Sequence, residues 1–420
     1  MTTVTKRLRQ RDRAEKRFRA YGIIALLLAG TALVTLLVTI VSSGHSAFLR
    51  TTLTLEIPLD ADRLGLEKPY TREQFMTASY LATLKRTLYA LYPEVTARPD
   101  KRKLTKILSP GAELDLRDYV REHPQDIGTT ISLEVPVSSD FDQLYKGNLP
   151  RVGKHTKVSY QQMEWFDGLV DRGLVHSRFN AGFFTGADSR YPELAGIGGA
   201  VAGSFYALLV CFLLSFPLGI AAAIYLEEFA GDTRLTRSIE ANINNLAAVP
   251  SVIFGLLGLA VLLHYFHLPR GTPLVGGMVL ALMTMPTIII ACRASLRAVS
   301  PGIRSGALAM GASPVQVVFH QVLPAAMPGT LTGTIIGLAQ ALGETAPLLM
   351  IGMVAFIADV PATPLDSSAS LPVQIYLWAE SAERGFVEKT AAAIMVIMTF
   401  LILMNLIAVI IRSKTQTKVE

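Results

Sequence analysis

The sequence predicts an all-α polytopic membrane protein with six transmembrane helices and an α+β domain inserted between the first two. Two observations predict this fold class. Hydrophobic residues make up 51% of the 420 residues and gather in long runs, and a helix needs about 20 apolar residues to cross about 30 Å of hydrocarbon. The first two runs are separated by a polar stretch long enough to bury a core of its own.

Six apolar runs are long enough to span a membrane. They are Tyr21–Ser43, Leu194–Tyr225, Leu246–Phe266, Leu274–Cys292, Pro328–Ile357 and Val387–Ile411. The first run is too long for the apolar region of a signal peptide, and no small-residue cleavage site closes it cleanly. We therefore expect residues 21–43 to form the first transmembrane helix.

Basic residues predict the orientation of these spans. Residues 1–20 form a basic tail before the first span, and lysine and arginine favour the cytoplasmic side. Six spans would return the tail at residues 412–420 to the same side. The arginines in the predicted cytoplasmic loops agree: Arg234, Arg237, Arg293, Arg297 and Arg304. Beside a span, a basic tail is expected to contact membrane lipids rather than nucleic acid.

The polar insertion, residues 44–193, is predicted to be an extracytoplasmic (periplasmic) α+β domain. Period-two apolarity predicts strands at residues 52–57 and 131–137, and helical spacing predicts helices at residues 70–91 and 161–175. Two short strings resemble each other, Leu55-Glu56-Ile57-Pro58-Leu59 and Leu133-Glu134-Val135-Pro136-Val137, so either a duplicated strand unit or chance similarity is possible. No nucleophile triad, metal cluster or carboxylate pair is recognisable here, and we expect a lid or a docking surface rather than a catalytic site.

The remaining spans, residues 194–411, form the predicted membrane core. Gly329, Gly333 and Gly337 recur every fourth residue, which presents a smooth helix face to a close neighbour. That neighbour is either another helix of this chain, the simpler interpretation, or a second transmembrane subunit. The two cysteines, Cys211 and Cys292, fall in or beside spans and are expected to be packing residues.

The loop between the fourth and fifth spans, residues 293–324, carries the most informative pattern. Residues 304–310 suit a short helix, and Gly311 suits the left-handed residue that ends it. Ser313 and Pro314 suit the N-cap and first position of a second helix. The pattern therefore predicts two helices joined by a tight turn.

The second helix is predicted to end near Gln321, because Pro324 and Pro328 should break the chain before it enters the bilayer. Two such helices across the cytoplasmic face would form a rigid lever that transmits the movement of a soluble partner into the spans. An interfacial helix without a partner is the alternative.

This loop resembles the signature of ABC importer permeases: a Glu-Ala-Ala opening, a glycine four residues after the last alanine, and a later hydrophobic-any-Leu-Pro. The matching positions are Ala307, Gly311, Leu323 and Pro324. The departures are Ser305, Gly306 and Gln321, where Glu, Ala, and Ile or Val are usual. The resemblance implies that the loop couples to a separate ATPase through Arg304, Ala307, Gly311, Ala312, Leu323 and Pro324.

The fifth predicted span contains the string Gly343-Glu344-Thr345-Ala346-Pro347-Leu348-Leu349. A carboxylate deep in a bilayer is costly unless it faces a cavity or a partner, so Glu344 is a candidate for a transport path. Pro347 removes a backbone hydrogen bond and frees the Gly343 carbonyl, which predicts a kinked polar point. A structural pair between Glu344 and a neighbouring helix is the alternative.

That string resembles the fifth-span motif in permeases of high-affinity phosphate importers of the PstA type. Other matching segments are residues 224–230, 248–256 and 371–376, and the resemblance covers residues 194–414. It implies the ABC importer type I permease fold in the bacterial cytoplasmic (inner) membrane, with both termini in the cytoplasm. It also implies a second permease subunit (PstC-like), a cytosolic ATPase dimer (PstB-like) and a periplasmic phosphate-binding protein (PstS-like).

One difference from that family concerns the groups that would contact the transported anion. Many relatives carry an arginine one helical turn before the glutamate, where this chain has Gln340. We expect no lysine or arginine of this chain inside the spans, so phosphate would meet helix N-termini, Thr345, Ser251 and Gln340. Because a carboxylate repels an anion, Glu344 is better explained as a gate partner for an arginine of the sister permease.

The chain is predicted to be a transport subunit without its own nucleotide site. Gly153-Lys154 lacks the upstream glycine and the Ser or Thr of a phosphate loop, so ATP and magnesium are expected on the partner ATPase, with no cofactor or metal on this chain. Two alternatives stay open: a permease for another oxyanion such as molybdate, sulfate or phosphonate, and a membrane-anchored phosphate sensor or scaffold that transports nothing.

Overall fold

The computed structural model describes residues 3–151, 157–354, 357 and 359–416. Gly153 and Lys154, of the rejected phosphate-loop pattern, lie outside these residues, as do residues 417–420 of the carboxy-terminal tail. The description below follows the chain from its first helix through the inserted domain to the membrane core.

The first helix, α1 (Thr3–Gly44), is one unbroken element of 42 residues. It joins the predicted basic tail to the predicted first span without an interruption. The segment contains no proline, so nothing removes a donor from its hydrogen-bond ladder. A single turn of 3₁₀ helix, His45–Phe48, then leads into the inserted domain.

The inserted domain combines short helices with a small antiparallel sheet. Its elements are β1 (Leu49–Pro58), α2 (Ala61–Leu64), α3 (Arg72–Thr77), α4 (Tyr80–Leu91), α5 (Arg98–Thr105), α6 (Gly111–Glu122), a 3₁₀ turn (Pro124–Asp126), β2 (Thr130–Pro136), α7 (Ser139–Tyr145), α8 (Tyr160–Asp171), β3 (Val175–Phe179) and α9 (Ala181–Thr185). The strands pair in the order β2-β1-β3. The α+β character predicted for this region is therefore confirmed.

Alternate side chains of β1 form part of the core of this domain. Leu53, Leu55 and Ile57 are buried on one face of the strand, and they share a hydrophobic cluster with Leu84 and Leu88 of α4. Side chains of a strand alternate between faces, so the intervening Thr54 and Glu56 are on the other face. The strand thus has one apolar face toward the helices and one polar face.

The two similar strings of the sequence are partners in this sheet. Leu55 lies opposite Leu133, and Leu53 lies opposite Val135, in the antiparallel ladder of β1 and β2. Both strings alternate apolar and polar residues because each strand turns one face toward the core, and the pairing leaves both duplication and chance similarity open.

Two predicted helices of this domain need correction. The region 70–91 is two helices, because Thr71 and Gln74 form a capping box that starts α3 and the chain turns extended at Ala78. The region 161–175 ends as a helix at Asp171, and Val175 begins β3. Sequence patterning missed β3 because only its first residue is buried, so it shows no apolar alternation.

The membrane core is helical. Its elements are α10 (Gly198–Ile224), a π-helical turn (Tyr225–Phe229), α11 (Arg234–Ala247), α12 (Ser251–Leu257) with a π-helical extension (Gly258–Tyr265), α13 (Pro273–Arg297), α14 (Pro301–Ala309), α15 (Pro314–Val317) with a π-helical segment (Val318–Val322), α16 (Leu323–Gly343), α17 (Ala346–Met350), α18 (Leu371–Ala379) and α19 (Gly385–Gln416). This is the predicted all-α membrane fold.

Among the described residues, five helices are long and apolar enough to cross a membrane. A sixth span is available if Arg234–Ala247 and Ser251–Tyr265 count as one, although their axes differ by 103°. The predicted third span, Leu246–Phe266, therefore starts too early, since Leu246 belongs to α11. Pro250 disfavours helical backbone at the residue before it, so the chain turns there before entering α12.

The glycine stripe of the fifth span packs within this chain. A Cβ on Gly329 would collide with Ser295, and a Cβ on Gly333 would collide with Ala291, so α16 lies directly against α13. Gly203 of α10 similarly lies against Ser368 and the Ala369 carbonyl. The simpler interpretation of these glycines, intramolecular helix packing, is correct.

Buried charges join the inserted domain to the last helix. Lys146 Nζ lies 2.7 Å from Asp142 Oδ2 and 2.9 Å from Glu388 Oε1 of α19, and all three side chains are buried. Ser46 Oγ donates to Glu388 Oε2 at 2.7 Å. Charges this far from water need such complete pairing, so the cluster specifies how the domain meets α19.

The expectation that no lysine lies inside the spans is wrong. Lys389, in the first turns of α19, is 2% exposed, and its Nζ lies 5.0 Å from the centre of the Phe183 ring. Lys389 already falls within the predicted span Val387–Ile411, and the contact with Phe183 of the inserted domain helps to bury it. No described side chain or carbonyl hydrogen-bonds its Nζ.

Replacing Lys146 with methionine should destabilise the junction by about 3–5 kcal/mol, because it leaves Asp142 and Glu388 buried without their cation. We expect earlier thermal unfolding of the full chain and faster proteolysis of the inserted domain. The matched control is Lys157→Met, which breaks an exposed pair with Glu383 and should cost at most about 1 kcal/mol. Equal effects of the two changes would contradict a structural role for the buried cluster.

Candidate functional site

The loop between α13 and α16 has the predicted turn between its helices. Gly311 has φ +90°, in the left-handed region that glycine favours. Ser313 accepts a hydrogen bond from the Gln316 N–H, and the Gln316 side chain accepts one from the Ser313 N–H, so α15 begins with a capping box. Pro314 occupies the first turn of α15. The predicted helix–turn–helix is confirmed at this point.

The predicted break at Pro324 and Pro328 is wrong. The chain stays helical from Pro314 to Gly343, and Pro324 lies in the first turn of α16. The π-helical segment Val318–Val322 directly precedes that turn. A π-turn widens the helix and changes its bonding register, which makes room for a proline where a regular helix would be strained. The loop is therefore continuous with the fifth span.

Arg304 fastens α14 to the end of the second span. Its Nη2 lies 2.6 Å from Glu228 Oε1, and its Nε lies 3.3 Å from Glu228 Oε2. The same guanidinium donates to the carbonyls of Val299 and Leu296 at 2.8 and 2.9 Å. Planar two-point pairing of this kind is specific to arginine, so Arg304 acts as a latch within this chain.

Further ion pairs extend this latch. Arg293 Nη2 lies 2.5 Å from Glu240, and its Nε lies 3.2 Å from Glu227. Arg297 Nε lies 2.7 Å from the other oxygen of Glu227. Sequence reasoning missed Glu227 and Glu228 as partners, although the paired glutamates after one span and basic residues after another were a usable signal.

Three other predicted coupling residues pack beneath the loop. Ala307, Ala312 and Leu323 are partly buried against a hydrophobic cluster that includes Val317 and Val322. These three side chains therefore stabilise the loop by packing on its inner face and are not on the surface that a partner would contact first. Its outer surface instead presents exposed apolar side chains: Leu308, Met310, Val315 and Phe319. Met310 is 90% exposed, and sequence reasoning did not single it out.

The second candidate region is a break in the fifth span. Helix α16 ends at Gly343, Glu344 has extended backbone with φ −74° and ψ 121°, and α17 starts at Ala346. The predicted span to Ile357 is thus wrong, because the chain leaves the helix before Pro347 and turns again at Gly352, with φ +90°. The expected kink is a full interruption of the helix.

The residues around this break differ in their surroundings. Glu344 and Thr345 are half-buried, Gln340 is exposed and Pro347 is buried. No hydrogen bond or ion pair joins the Glu344 side chain to any described residue. A structural pair within the described chain is therefore not formed, and the carboxylate is available to a partner.

Helix packing brings Ser251 to the same level as this break. A Cβ on Gly255 would meet Pro347, and one on Gly258 would meet Ile351, so α12 and α17 run side by side in the same direction. Their starting residues, Ser251 and Thr345, therefore lie at the same end of the pair. At 1.5 Å per residue, Ser251 is about 10 Å along the helix from Gly258.

The far end of α17 reaches the loop before α13. The Gly271 N–H donates to the Ile351 carbonyl, and a Cβ on Gly352 would meet the Arg270 side chain. The break at Glu344 is therefore inside the helical core rather than at this loop. The carboxylate of Glu344 and the hydroxyls of Thr345 and Ser251 thus lie near the break between α16 and α17.

Comparisons with known proteins cover both halves of the chain. Residues 215–417 match the family described as "Binding-protein-dependent transport system inner membrane component", and residues 5–154 match a domain of unknown function, DUF3333. The "Probable ABC transporter permease protein YqgH" of Bacillus subtilis is 29% identical over 229 residues, 52% of this chain and 72% of that protein.

A phosphate permease and a solved transporter structure also match about half of this chain. The "Phosphate transport system permease protein PstA" of Yersinia pestis is 29% identical over 220 residues, 52% of this chain and 73% of that protein. Among solved structures, an inward-facing MetNI methionine ABC transporter chain matches with a TM-score of 0.42 and 19% identity, covering 52% of this chain and 94% of that one.

Proposed function

Because residues 215–417 match the family of binding-protein-dependent inner membrane transport components, we propose that this chain is the transmembrane permease subunit of an ATP-driven importer of inorganic phosphate. The observation that carries the phosphate assignment is the similarity, over 52% of the chain, to the phosphate permease of Yersinia pestis. The family places such subunits in the inner membrane, and the apolar helices described above fit that location.

The proposed complex contains an ATPase and a binding protein besides the permeases. In detail, we expect a second permease subunit (PstC-like), a cytosolic ATPase dimer (PstB-like) that binds ATP and magnesium, and a periplasmic phosphate-binding protein (PstS-like). The basic residues before the first span support a cytoplasmic amino terminus. The carboxy terminus would then also be cytoplasmic, and residues 44–193 would lie outside.

The loop geometry supports a way to couple ATP hydrolysis to the spans. The exposed apolar side chains Leu308, Met310 and Val315 offer a docking face for the ATPase. A push on that face would reach α16 through unbroken helix, and it would reach α10 through the contact between Arg304 and Glu228. Both spans would then move together between outward and inward access, which requires only that each nucleotide state favours one arrangement.

The break in the fifth span is the proposed point of anion passage. Ser251 and Thr345 hydroxyls can donate hydrogen bonds to phosphate oxygens, and Gln340 lies one helical turn before Glu344. The Glu344 carboxylate would repel phosphate if left alone. We therefore propose that Glu344 gates the path by pairing with a cation of the sister permease.

Two rival functions would give different results in the tests below. A permease for molybdate, sulfate or phosphonate would share the loop and the broken span. A membrane-anchored phosphate sensor or scaffold would need neither the docking face nor an unpartnered Glu344, and these two observations favour transport.

The proposal predicts ATP-dependent uptake of labelled phosphate in vesicles that contain this chain with its co-purifying partners. Unlabelled phosphate should compete, and sulfate and molybdate in equal excess should not. Suppression of uptake by sulfate or molybdate would instead identify another oxyanion importer. Absence of uptake, with no ATPase co-purifying, would favour the sensor.

Replacing Glu344 with glutamine keeps its size and removes its charge. We expect the complex to assemble normally and uptake to fall at least about tenfold, which corresponds to a loss of about 1.4 kcal/mol at the limiting step. Thr345→Ser, which keeps the hydroxyl, serves as the control and should retain uptake. Normal uptake by Glu344→Gln would reduce Glu344 to a structural residue.

Replacing Gly311 with valine should uncouple the ATPase from uptake. A β-branched residue at φ +90° costs on the order of 1–3 kcal/mol, which would distort the turn between α14 and α15. The matched control is Gly306→Val inside α14, where nothing lies within 4 Å of an added Cβ and φ is negative. The ratio of phosphate imported to ATP hydrolysed should fall for Gly311→Val alone; an unchanged ratio would remove the lever from the mechanism.

A further inference from the structure

The inserted domain contains a cleft beside an open strand edge. The cleft encloses about 640 Å³ and is lined by residues of α4, by the second half of β1 and by the start of β2. Strand β3 pairs with only the first half of β1, from Leu49 to Leu53. The part of β1 that lines the cleft thus has a ladder partner on one side only.

The register of the ladders shows which backbone groups face the cleft. Leu59 N–H donates to the Thr129 carbonyl and the Val137 N–H donates to the Thr51 carbonyl, so odd-numbered residues of β1 bond toward β2. Thr54 N–H donates to the Leu174 carbonyl on the opposite side. Glu56, two residues on, points its N–H and C=O to that same side, beyond the end of β3.

Glu56 lies opposite Ser132 in the β1–β2 ladder, but no described residue hydrogen-bonds its N–H or its carbonyl on the side away from β2. An edge with a free donor and acceptor is a template for one more strand, and short extended peptides bind proteins in this way. The floor of the cleft suits such a segment, because Leu55, Leu91 and Leu174 line it together with hydroxyl side chains from the strands and α4.

The charges beside the edge restrict the occupant. Arg86 of α4 lines the cleft, is exposed, and makes no ion pair with a described residue, whereas Arg63 pairs with Asp60 at 2.9 Å. The side chain of Glu56 lies on the polar face of the sheet, away from the face that α4 covers. An added strand would therefore meet a cation on its helix-facing side and a carboxylate on its other side.

We propose that this cleft binds an extended segment of a separate protein by strand addition to β1. The residue opposite Glu56 would share the face of Glu56 and would be basic or neutral, since like charges directly opposite destabilise a sheet. The next residue along would point toward α4 and would be acidic, to pair with Arg86. The proposal concerns only the inserted domain and does not depend on the transported substrate.

The test uses a tethered probe on the full-length chain. Cys211 and Cys292 are buried, so a cysteine introduced as Ala82→Cys, at an exposed site one turn before Arg86, can be labelled selectively. The probe is a maleimide-linked peptide, Gly-Ser-Gly-Ser followed by Thr-Val-Lys-Asp-Val-amide. Tethering raises the local peptide concentration to the millimolar range, so a weak intrinsic affinity does not obscure the result.

Hydrogen exchange of the Glu56 amide is the measurement. Strand addition should slow this exchange at least tenfold and leave the Ile57 amide, which already bonds toward β2, unchanged. A peptide methylated on the lysine backbone nitrogen should not protect, because it loses the N–H that would donate to the Glu56 carbonyl. A peptide with lysine in place of aspartate should protect less, and Arg86→Glu should reverse that preference.

Other outcomes would overturn the proposal. Failure of every tethered peptide to protect Glu56, or equal protection by the methylated peptide, would show that no strand is added. Equal protection by the aspartate and lysine peptides would overturn the acidic requirement. Protection that grows with protein concentration in the absence of peptide would assign the edge to a second copy of this chain instead.

Discussion

The contact between Arg304 and Glu228 holds the loop between α13 and α16 to the membrane core. It joins residues 76 positions apart in the chain at 2.6 Å, and the same guanidinium also satisfies two carbonyls near the end of α13. Without it, α14 would be connected to the core only by its two chain ends and a few apolar contacts. The proposed coupling to α10 therefore depends on this side chain and its carboxylate, whereas α16 is reached through continuous helix.

A second group of charged contacts attaches the inserted domain to the membrane core. Lys146 lies between Asp142 and Glu388, and Gly44 lies so close to Ala391 and Ala392 that any side chain there would collide with them. The inserted domain is thus attached to both helices that flank it in space, α1 and α19.

Features set by neighbouring residues could be predicted from the sequence, and features set by distant contacts could not. Gly311, Ser313 and Pro314 were assigned correctly because caps and turns depend on a few adjacent residues. The break predicted at Pro324 is wrong because the π-helical segment before it allows the helix to continue through the proline. No local sequence pattern predicts such a segment. The burial of Lys389 and the pairing of Glu228 depend on elements far away in the chain. The roles of Glu344, Thr345 and Ser251 stay predictions. The packing of α12 on α17 places these three residues at the same end of that helix pair.

The length of α1 has a consequence of its own. A helix of 42 residues extends for about 63 Å, and the hydrocarbon layer accounts for about 30 Å of that. The remainder is α-helix that continues the predicted span without a break. Residues 3–20 therefore extend about 27 Å from that span as helix, whereas a flexible tail would not keep them at a fixed distance from it.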